Sequence, residues 1–302
     1  MRNKNFLVNI LLIINILVWG YYFIYCSNII SSWFIDIDKI SPIDNNQDTG
    51  NLEILFYDNS EKNLVILRTP TNKIVIINTG IDKKAINLKD YIKANKLFFI
   101  DKIFLTNNNE ESINGLRVLL NDISIGEIID GSTSIERNRE YDFFRYFLRY
   151  HPEIGYVRPI QGESIYVDPY LNIRTYFAID ENLEKFADMF LLINYNNINI
   201  LFTTDNYAEG QFDFLDEFYI RHVDVLQYPN IKYHQNISKK TIQNLEIKYL
   251  VVGDNSIYRG DFIDMNVWNV FNENKFYVKY IGNEKEKPLI LQSDGKSIRF
   301  RR

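Results

Sequence analysis

The order of β-rich and helix-like segments constrains the fold of this 302-residue chain most strongly. Three short apolar runs, at residues 52–57, 64–68 and 73–78, follow one another with only brief polar turns between them, which predicts a β-meander. Helix-like stretches then alternate with further strands, and the second half repeats the theme. In each half of the chain, strands come first and a mixture of helices and strands follows. This order predicts two packed sheets covered by helices, an αββα sandwich of the α/β class.

The remaining elements are predicted from helical and strand periodicity. Helices are expected at 83–96, 112–121, 141–150, 212–219, 239–245 and 264–272. Strands are expected at 102–105, 127–129, 173–177, 189–195, 198–203, 223–226, 249–252 and 276–280, with a final hairpin that joins 288–292 to 297–301. The folded domain is therefore expected to occupy residues 52–302.

An uncharged apolar run at residues 6–24 precedes this domain. As a helix it would span roughly 30 Å, the thickness of a bilayer core. Arg2 and Lys4 come before it, so the positive-inside rule places the N-terminus in the cytoplasm. Residues 1–27 are therefore predicted to be a single transmembrane anchor in the cell membrane, 28–51 a polar linker, and the domain to be extracytoplasmic.

A cleaved signal peptide is the alternative interpretation of this run. No small-residue cleavage motif follows it, and Tyr25 directly before Cys26 does not fit a lipoprotein cleavage site. An uncleaved anchor is the favoured prediction.

Composition excludes several kinds of site. The single cysteine leaves no internal disulfide and no cysteine-based zinc site, and the chain has only three histidines: His151, His222 and His234. The net charge of −5 gives no global attraction to nucleic acid, although a local basic surface would still provide one.

Several segments carry recognisable motifs in a fixed order. Residues 56–59 read Phe-Tyr-Asp-Asn, 76–80 read Ile-Ile-Asn-Thr-Gly, and 105–116 form a polar loop between a strand-like and a helix-like run. Residues 201–205 read Leu-Phe-Thr-Thr-Asp, and 223–229 read Val-Asp-Val-Leu-Gln-Tyr-Pro. Together these segments resemble the extracellular metallo-β-lactamase-like domain of the ComEC/Rec2 family of competence proteins, over almost all of residues 52–302.

The resemblance implies metal ligands, or residues that assist them, at positions that have mostly changed here. The positions are Asn78, Asn107, Asn109, Glu111, Ser112, Asp205 and Asn230. Only Asp205 keeps the family residue, and Glu111 keeps a carboxylate that is one methylene longer than the expected aspartate. Asparagine or serine stands at the histidine positions, and Ile231 takes the second place of the family's His-His pair.

These replacements predict the loss of the metal. Zinc prefers imidazole nitrogen or thiolate, and a carboxamide oxygen is a weak neutral donor. Without the metal nothing lowers the pKa of a bound water toward ~7, so the hydroxide nucleophile is lost. The sequence therefore favours a non-catalytic ComEC-like module without catalytic residues or cofactor, with DNA or a competence-channel protein as the partner.

Two further hypotheses stay open. A hydrolase, in particular a nuclease, would use an oxygen-rich site at Glu111 and Asp205 to hold zinc or another divalent metal. A structural protein of the cell envelope would reuse the fold without binding nucleic acid.

Overall fold

The computed structural model describes residues 50–58, 63–80, 92, 94–119, 123–132, 139–180, 185–203, 213–228, 244–253, 276–281 and 288–301. The predicted anchor, the predicted linker except for its last two residues, and the predicted helix at 264–272 lie outside these residues, as do most of the predicted helices at 83–96 and 239–245. Within the described ranges no helix is long and apolar enough to cross a membrane.

Fifteen strands are described, numbered here in chain order. The first eight are β1 (Leu52–Asp58), β2 (Asn63–Arg68), β3 (Ile74–Ile77), β4 (Phe99–Leu105), β5 (Ser124–Asp130), β6 (Gly155–Val157), β7 (Ser164–Asp168) and β8 (Leu171–Asp180). The others are β9 (Lys185–Tyr195), β10 (Ile198–Phe202), β11 (Val225–Tyr228), β12 (Tyr249–Gly253), β13 (Tyr277–Ile281), β14 (Leu289–Ser293) and β15 (Ile298–Arg301). The described helices are α1 (Glu110–Ile113), α2 (Leu116–Leu119), α3 (Arg139–Tyr150) and α4 (Asp213–Glu217).

The strands form two mixed sheets. The first has the order β15-β14-β1-β2-β3-β4-β5-β6, and the second has the order β13-β12-β11-β10-β9-β8-β7. In each sheet one end is antiparallel and the other parallel: β3 to β6 run parallel in the first, and β10 to β13 in the second. The carboxyl ends of β3, β4, β5 and β6 therefore meet at one edge of the first sheet.

Strand alternation builds three apolar layers. In β1, Leu52, Ile54 and Phe56 point into a core shared by both sheets, and Phe56 stacks on Phe202 of β10. Leu55 and Tyr57 of the same strand point the other way, into a core that includes residues of α1, α2 and α3. A third core lies between the outer face of the second sheet and α4. Helices therefore cover the outer faces of two sheets that pack together, as the αββα prediction requires.

Most predicted elements are confirmed, and the differences have physical causes. The meander and the final hairpin are present, and the hairpin joins the first sheet by pairing β14 with β1. The single helix predicted at 112–121 is wrong, because two short helices, α1 and α2, are separated at Gly115. β7 and the three-residue β6 were not predicted, and β6 is too short to show an alternation.

Candidate functional site

The candidate site lies where β3 and β4 end side by side. β3 is followed by Asn78, and β4 is followed by the loop from Thr106 to Asn109, which leads into α1. Because β3 and β4 are parallel, these two polar segments leave the sheet at the same edge. Ligands of open α/β sheets bind in this position, outside the carboxyl ends of parallel strands.

The side chain of Asn78 hydrogen-bonds to the first residue of this loop, Thr106. Its Oδ1 accepts a hydrogen bond from the Thr106 backbone N–H at 2.9 Å, and its Nδ2 donates to Thr106 Oγ1 at 3.0 Å. The Asn78 backbone N–H donates to the Phe104 carbonyl at 2.8 Å, and its φ of 55° is a left-handed conformation that asparagine tolerates better than most residues. Both ends of the Asn78 amide therefore bond to Thr106, the first residue of the loop.

Asn107 bonds to residues at the start of the helix that follows. Its Oδ1 accepts hydrogen bonds from the Asn109 backbone N–H at 3.1 Å and from Ser112 Oγ at 2.7 Å. Ser112 is buried, so its hydroxyl needs such an acceptor. The side chain of Asn109, at the N-cap position of α1, makes no capping hydrogen bond, and the Asn107 carboxamide accepts the backbone N–H of that N-cap residue.

Close packing holds α1 against the end of β3. Thr79 donates to the Ser112 carbonyl from its backbone N–H at 2.9 Å and from its Oγ1 at 2.8 Å. Gly115 lies so near that a Cβ there would stand 2.2 Å from the Thr79 carbonyl oxygen. Only glycine fits this approach, which explains why the helix is interrupted at Gly115.

The structure brings together four of the predicted site positions: Asn78, Asn107, Asn109 and Ser112. For Glu111 it describes only the main chain, which lies in α1. Asp205, Asn230 and Ile231 lie outside the described residues.

The described donor set does not fit a zinc ion. It offers carboxamide and hydroxyl oxygens, which are neutral, and those of Asn78, Asn107 and Ser112 already bond to one another or to the main chain. Across the described ranges, no group of three or more histidine, cysteine, aspartate or glutamate side chains is arranged to hold a metal ion. Zinc sites of proteins are built from such side chains.

The two described histidines have other partners. His151 Nδ1 lies 2.7 Å from a Glu153 carboxylate oxygen, and its ring stacks on Phe147 with centroids 3.8 Å apart. His222 Nε2 lies 3.1 Å from the buried carboxylate of Asp224. His234 lies outside the described residues.

Sequence reasoning missed a polar cluster at the same sheet edge. Asp130, the last residue of β5, is buried, and its carboxylate accepts hydrogen bonds from the hydroxyls of Tyr141 and Tyr156. Burial, and then the adjacent Asp130 carboxylate, raise the pKa of Tyr156 well above its usual range, so this phenol stays protonated. In the sequence, the aspartate that directly follows the apolar run of β5 was a signal for a buried carboxylate at this edge.

No protein-family model and no curated protein sequence matches the chain. Solved structures do match it. A diphosphatase of the PhnP family covers 80% of this chain and 97% of its own length, at 10% identity and a TM-score of 0.50. Zn(2+)-bound PqqB from Methylobacterium extorquens covers 80% and 99%, at 12% identity and a TM-score of 0.52.

The chain has a metallo-β-lactamase fold. At these identities the likeness establishes the fold and no more. The sequence prediction of this fold is confirmed.

Proposed function

We propose that this chain is a non-catalytic, ComEC-like module of metallo-β-lactamase fold, anchored in the membrane, that binds a strand of DNA. One observation carries the first part of the proposal. Asn107, at a position where the resemblance implies a histidine, gives its carboxamide oxygen to Asn109 N–H and Ser112 Oγ. The loop is stabilised by the side chains that would otherwise face a metal.

An exposed aromatic face on α3 supports binding of a single strand. Phe143, Tyr146 and Tyr150 are 41%, 57% and 65% exposed, and they recur at helical spacing. The rings of Tyr146 and Tyr150 lie 4.9 Å apart. Unpaired bases stack on exposed aromatic rings regardless of sequence, which contributes roughly 1–3 kcal/mol per base.

Positive charge accompanies this aromatic face. The guanidinium of Arg117 lies 4.1 Å from the ring centroid of Phe143, and Arg139, Arg145 and Arg149 are exposed on α3. An arginine beside a stacking platform supplies the phosphate contacts that a single strand requires. The overall charge of −5 does not prevent this, because charges more than about 8 Å apart are screened at physiological salt.

The apolar run at residues 6–24 supports anchoring of the domain on the outer side of the cell membrane. In that arrangement a separate competence-channel protein would carry the strand across the bilayer. Full-length protein is expected to remain in the membrane fraction after alkaline carbonate extraction, and deletion of residues 1–27 is expected to release it. Full extraction of the intact chain would contradict the anchor.

Single-strand binding and hydrolysis are measured together on the full-length protein in a mild detergent. We expect a fluorescein-labelled oligonucleotide to bind equally well with and without EDTA, and to remain intact in the presence of zinc or manganese. The double variant Tyr146→Ala/Tyr150→Ala is expected to bind about tenfold more weakly. Tyr166→Ala, which removes a 70% exposed tyrosine from β7, is the matched control and should bind normally.

Metal-dependent cleavage of the oligonucleotide that Glu111→Ala abolishes would overturn the non-catalytic proposal and favour the nuclease alternative. Absence of binding even at low salt, where electrostatic attraction is strongest, would favour the structural envelope protein.

A further inference from the structure

Arg158 lies at the same sheet edge as the candidate site. It follows β6 directly, and the pairing of Ile129 with Val157 places it beside Asp130. Asp130 in turn pairs with Leu105, the residue before the Thr106 loop. Two strand spacings separate Arg158 from that loop, a lateral distance of about 10 Å.

The Asp130 cluster holds one side of the Arg158 guanidinium. Nη2 donates to Tyr141 Oη at 2.9 Å and to the Ser132 carbonyl at 3.1 Å, and Nε donates to Tyr156 Oη at 3.2 Å. The two phenols can accept these bonds because their own hydrogens go to Asp130 Oδ2. The guanidinium is therefore fixed by three oxygen atoms, none of which carries a formal charge.

Asp130 does not need Arg158 as a hydrogen-bond partner. Its Oδ1 accepts from the backbone N–H of Ser132 at 3.0 Å and from the Ser132 hydroxyl, and its Oδ2 accepts from both phenols. Arg158 Nε is 3.8 Å from Oδ2, too far for a hydrogen bond. Arg158 therefore lies within ion-pair distance of Asp130, and the hydrogen bonds from its guanidinium to the rest of the cluster orient the arginine.

The other side of the guanidinium is available to a ligand. The Arg158 side chain is 56% exposed, and Nη1 has no hydrogen-bond partner among the described residues. A second guanidinium, that of Arg145, lies 4.8 Å from the ring centroid of Tyr156. The positive charges of Arg145 and Arg158 therefore both lie beside Tyr156, where the only buried negative charge in this cluster is that of Asp130.

We propose that Arg158, fixed by Tyr141, Tyr156 and Ser132, binds a phosphate group of the ligand at the edge of the candidate site. The proposal rests on the binding role proposed above and assigns its phosphate contact. A guanidinium presents fixed N–H donors that match phosphate oxygens, and little conformational entropy is lost because the side chain is already held. The negative charge of Asp130, 3.8 Å from Arg158 Nε, repels phosphate and keeps the affinity for free phosphate modest. A ligand with several phosphate groups makes further contacts and binds more tightly.

The test uses full-length protein in a mild detergent and two probes. Binding of a fluorescein-labelled single-stranded oligonucleotide is followed by fluorescence anisotropy, and inorganic phosphate by the line width of its ³¹P NMR signal. Arg158→Gln is expected to weaken oligonucleotide binding about tenfold and to abolish the phosphate broadening. Arg299→Gln is the matched control. Arg299 is an exposed arginine on β15, which is the outermost strand on the side of the sheet away from β6.

Arg158→Lys covers the case in which the glutamine variant folds poorly. It keeps the positive charge but cannot reproduce the three fixed donors, so binding should weaken several-fold. Loss of the phosphate signal alone, with oligonucleotide binding intact, would overturn the assignment of Arg158 as the phosphate contact of the strand. Unchanged binding of both probes in both variants would overturn the proposal. Absence of oligonucleotide binding by the wild-type protein would instead overturn the proposed binding role itself, so the two failures can be distinguished.

Discussion

At the scale of single residues, Asn107 shows how the loop after β4 is held by its own side chains. A histidine at this position would offer a ring nitrogen to a metal. The asparagine instead offers an oxygen to Asn109 N–H and Ser112 Oγ, and so stabilises the start of α1 from within the loop. A short polar side chain can thus stabilise a loop by local hydrogen bonds to the main chain and to a neighbouring side chain.

Asn107→Ala is expected to destabilise the protein by about 1–3 kcal/mol, because the buried Ser112 hydroxyl loses its acceptor. The free energy of unfolding, measured by chemical denaturation, checks this. Asn197→Ala is the matched control, since Asn197 is an exposed turn residue whose side chain makes no hydrogen bond in the described structure. Equal stability of the two variants would mean that the Asn107 amide has no stabilising role.

Tyr156 predicts a pH dependence. Its pKa is raised in the folded state by burial and by Asp130, so above about pH 10 the unfolded chain loses the phenolic proton more readily than the folded one. The contribution of Tyr156 to stability is therefore fully present below pH 10 and falls as the pH rises further. The stability difference between wild type and Tyr156→Phe should shrink from pH 9 to pH 11, whereas a constant difference would contradict the assigned environment.

At the scale of elements, Gly115 determines how α1, α2 and β3 meet. Periodicity alone predicted one helix at 112–121, because an apolar residue recurs at helical spacing across the break. The close approach of the Thr79 carbonyl could not be predicted, since it depends on a contact 36 residues away in the chain. Long-range backbone contacts of this kind leave no local pattern in the sequence beyond the glycine itself.

Gly115→Ala is expected to destabilise the protein by about 2 kcal/mol or more, because the new Cβ would stand 2.2 Å from the Thr79 carbonyl oxygen and 2.7 Å from its Cβ. Chemical denaturation measures the effect. Gly50→Ala is the control, since a Cβ there meets nothing within 4 Å. A neutral result for Gly115→Ala would show that α1 can move away from β3 without loss.

At the scale of the whole molecule, the sequence predicted the αββα architecture because strand alternation and the order of elements are local signals. Asn107 bonds to Asn109 and Ser112, and Asn78 bonds to the adjacent Thr106, but the site role that the resemblance implies for these positions stays a prediction. The partners of Asp130 could not be predicted, because Tyr141, Tyr156 and Arg158 converge through the parallel pairing of β5 with β6 and the packing of α3. The predicted roles of Asp205 and Asn230 stay predictions.

The central claim is that this metallo-β-lactamase fold carries no catalytic zinc. Elemental analysis of the full-length protein, purified without chelator, tests it most directly. We expect a zinc and manganese content far below one ion per chain. After dialysis against zinc, the wild-type protein should take up no more zinc than the Asn107→Ala variant does. Zinc close to one or two ions per chain, lost in Glu111→Ala and Asp205→Ala, would contradict the account and identify a metal-dependent hydrolase.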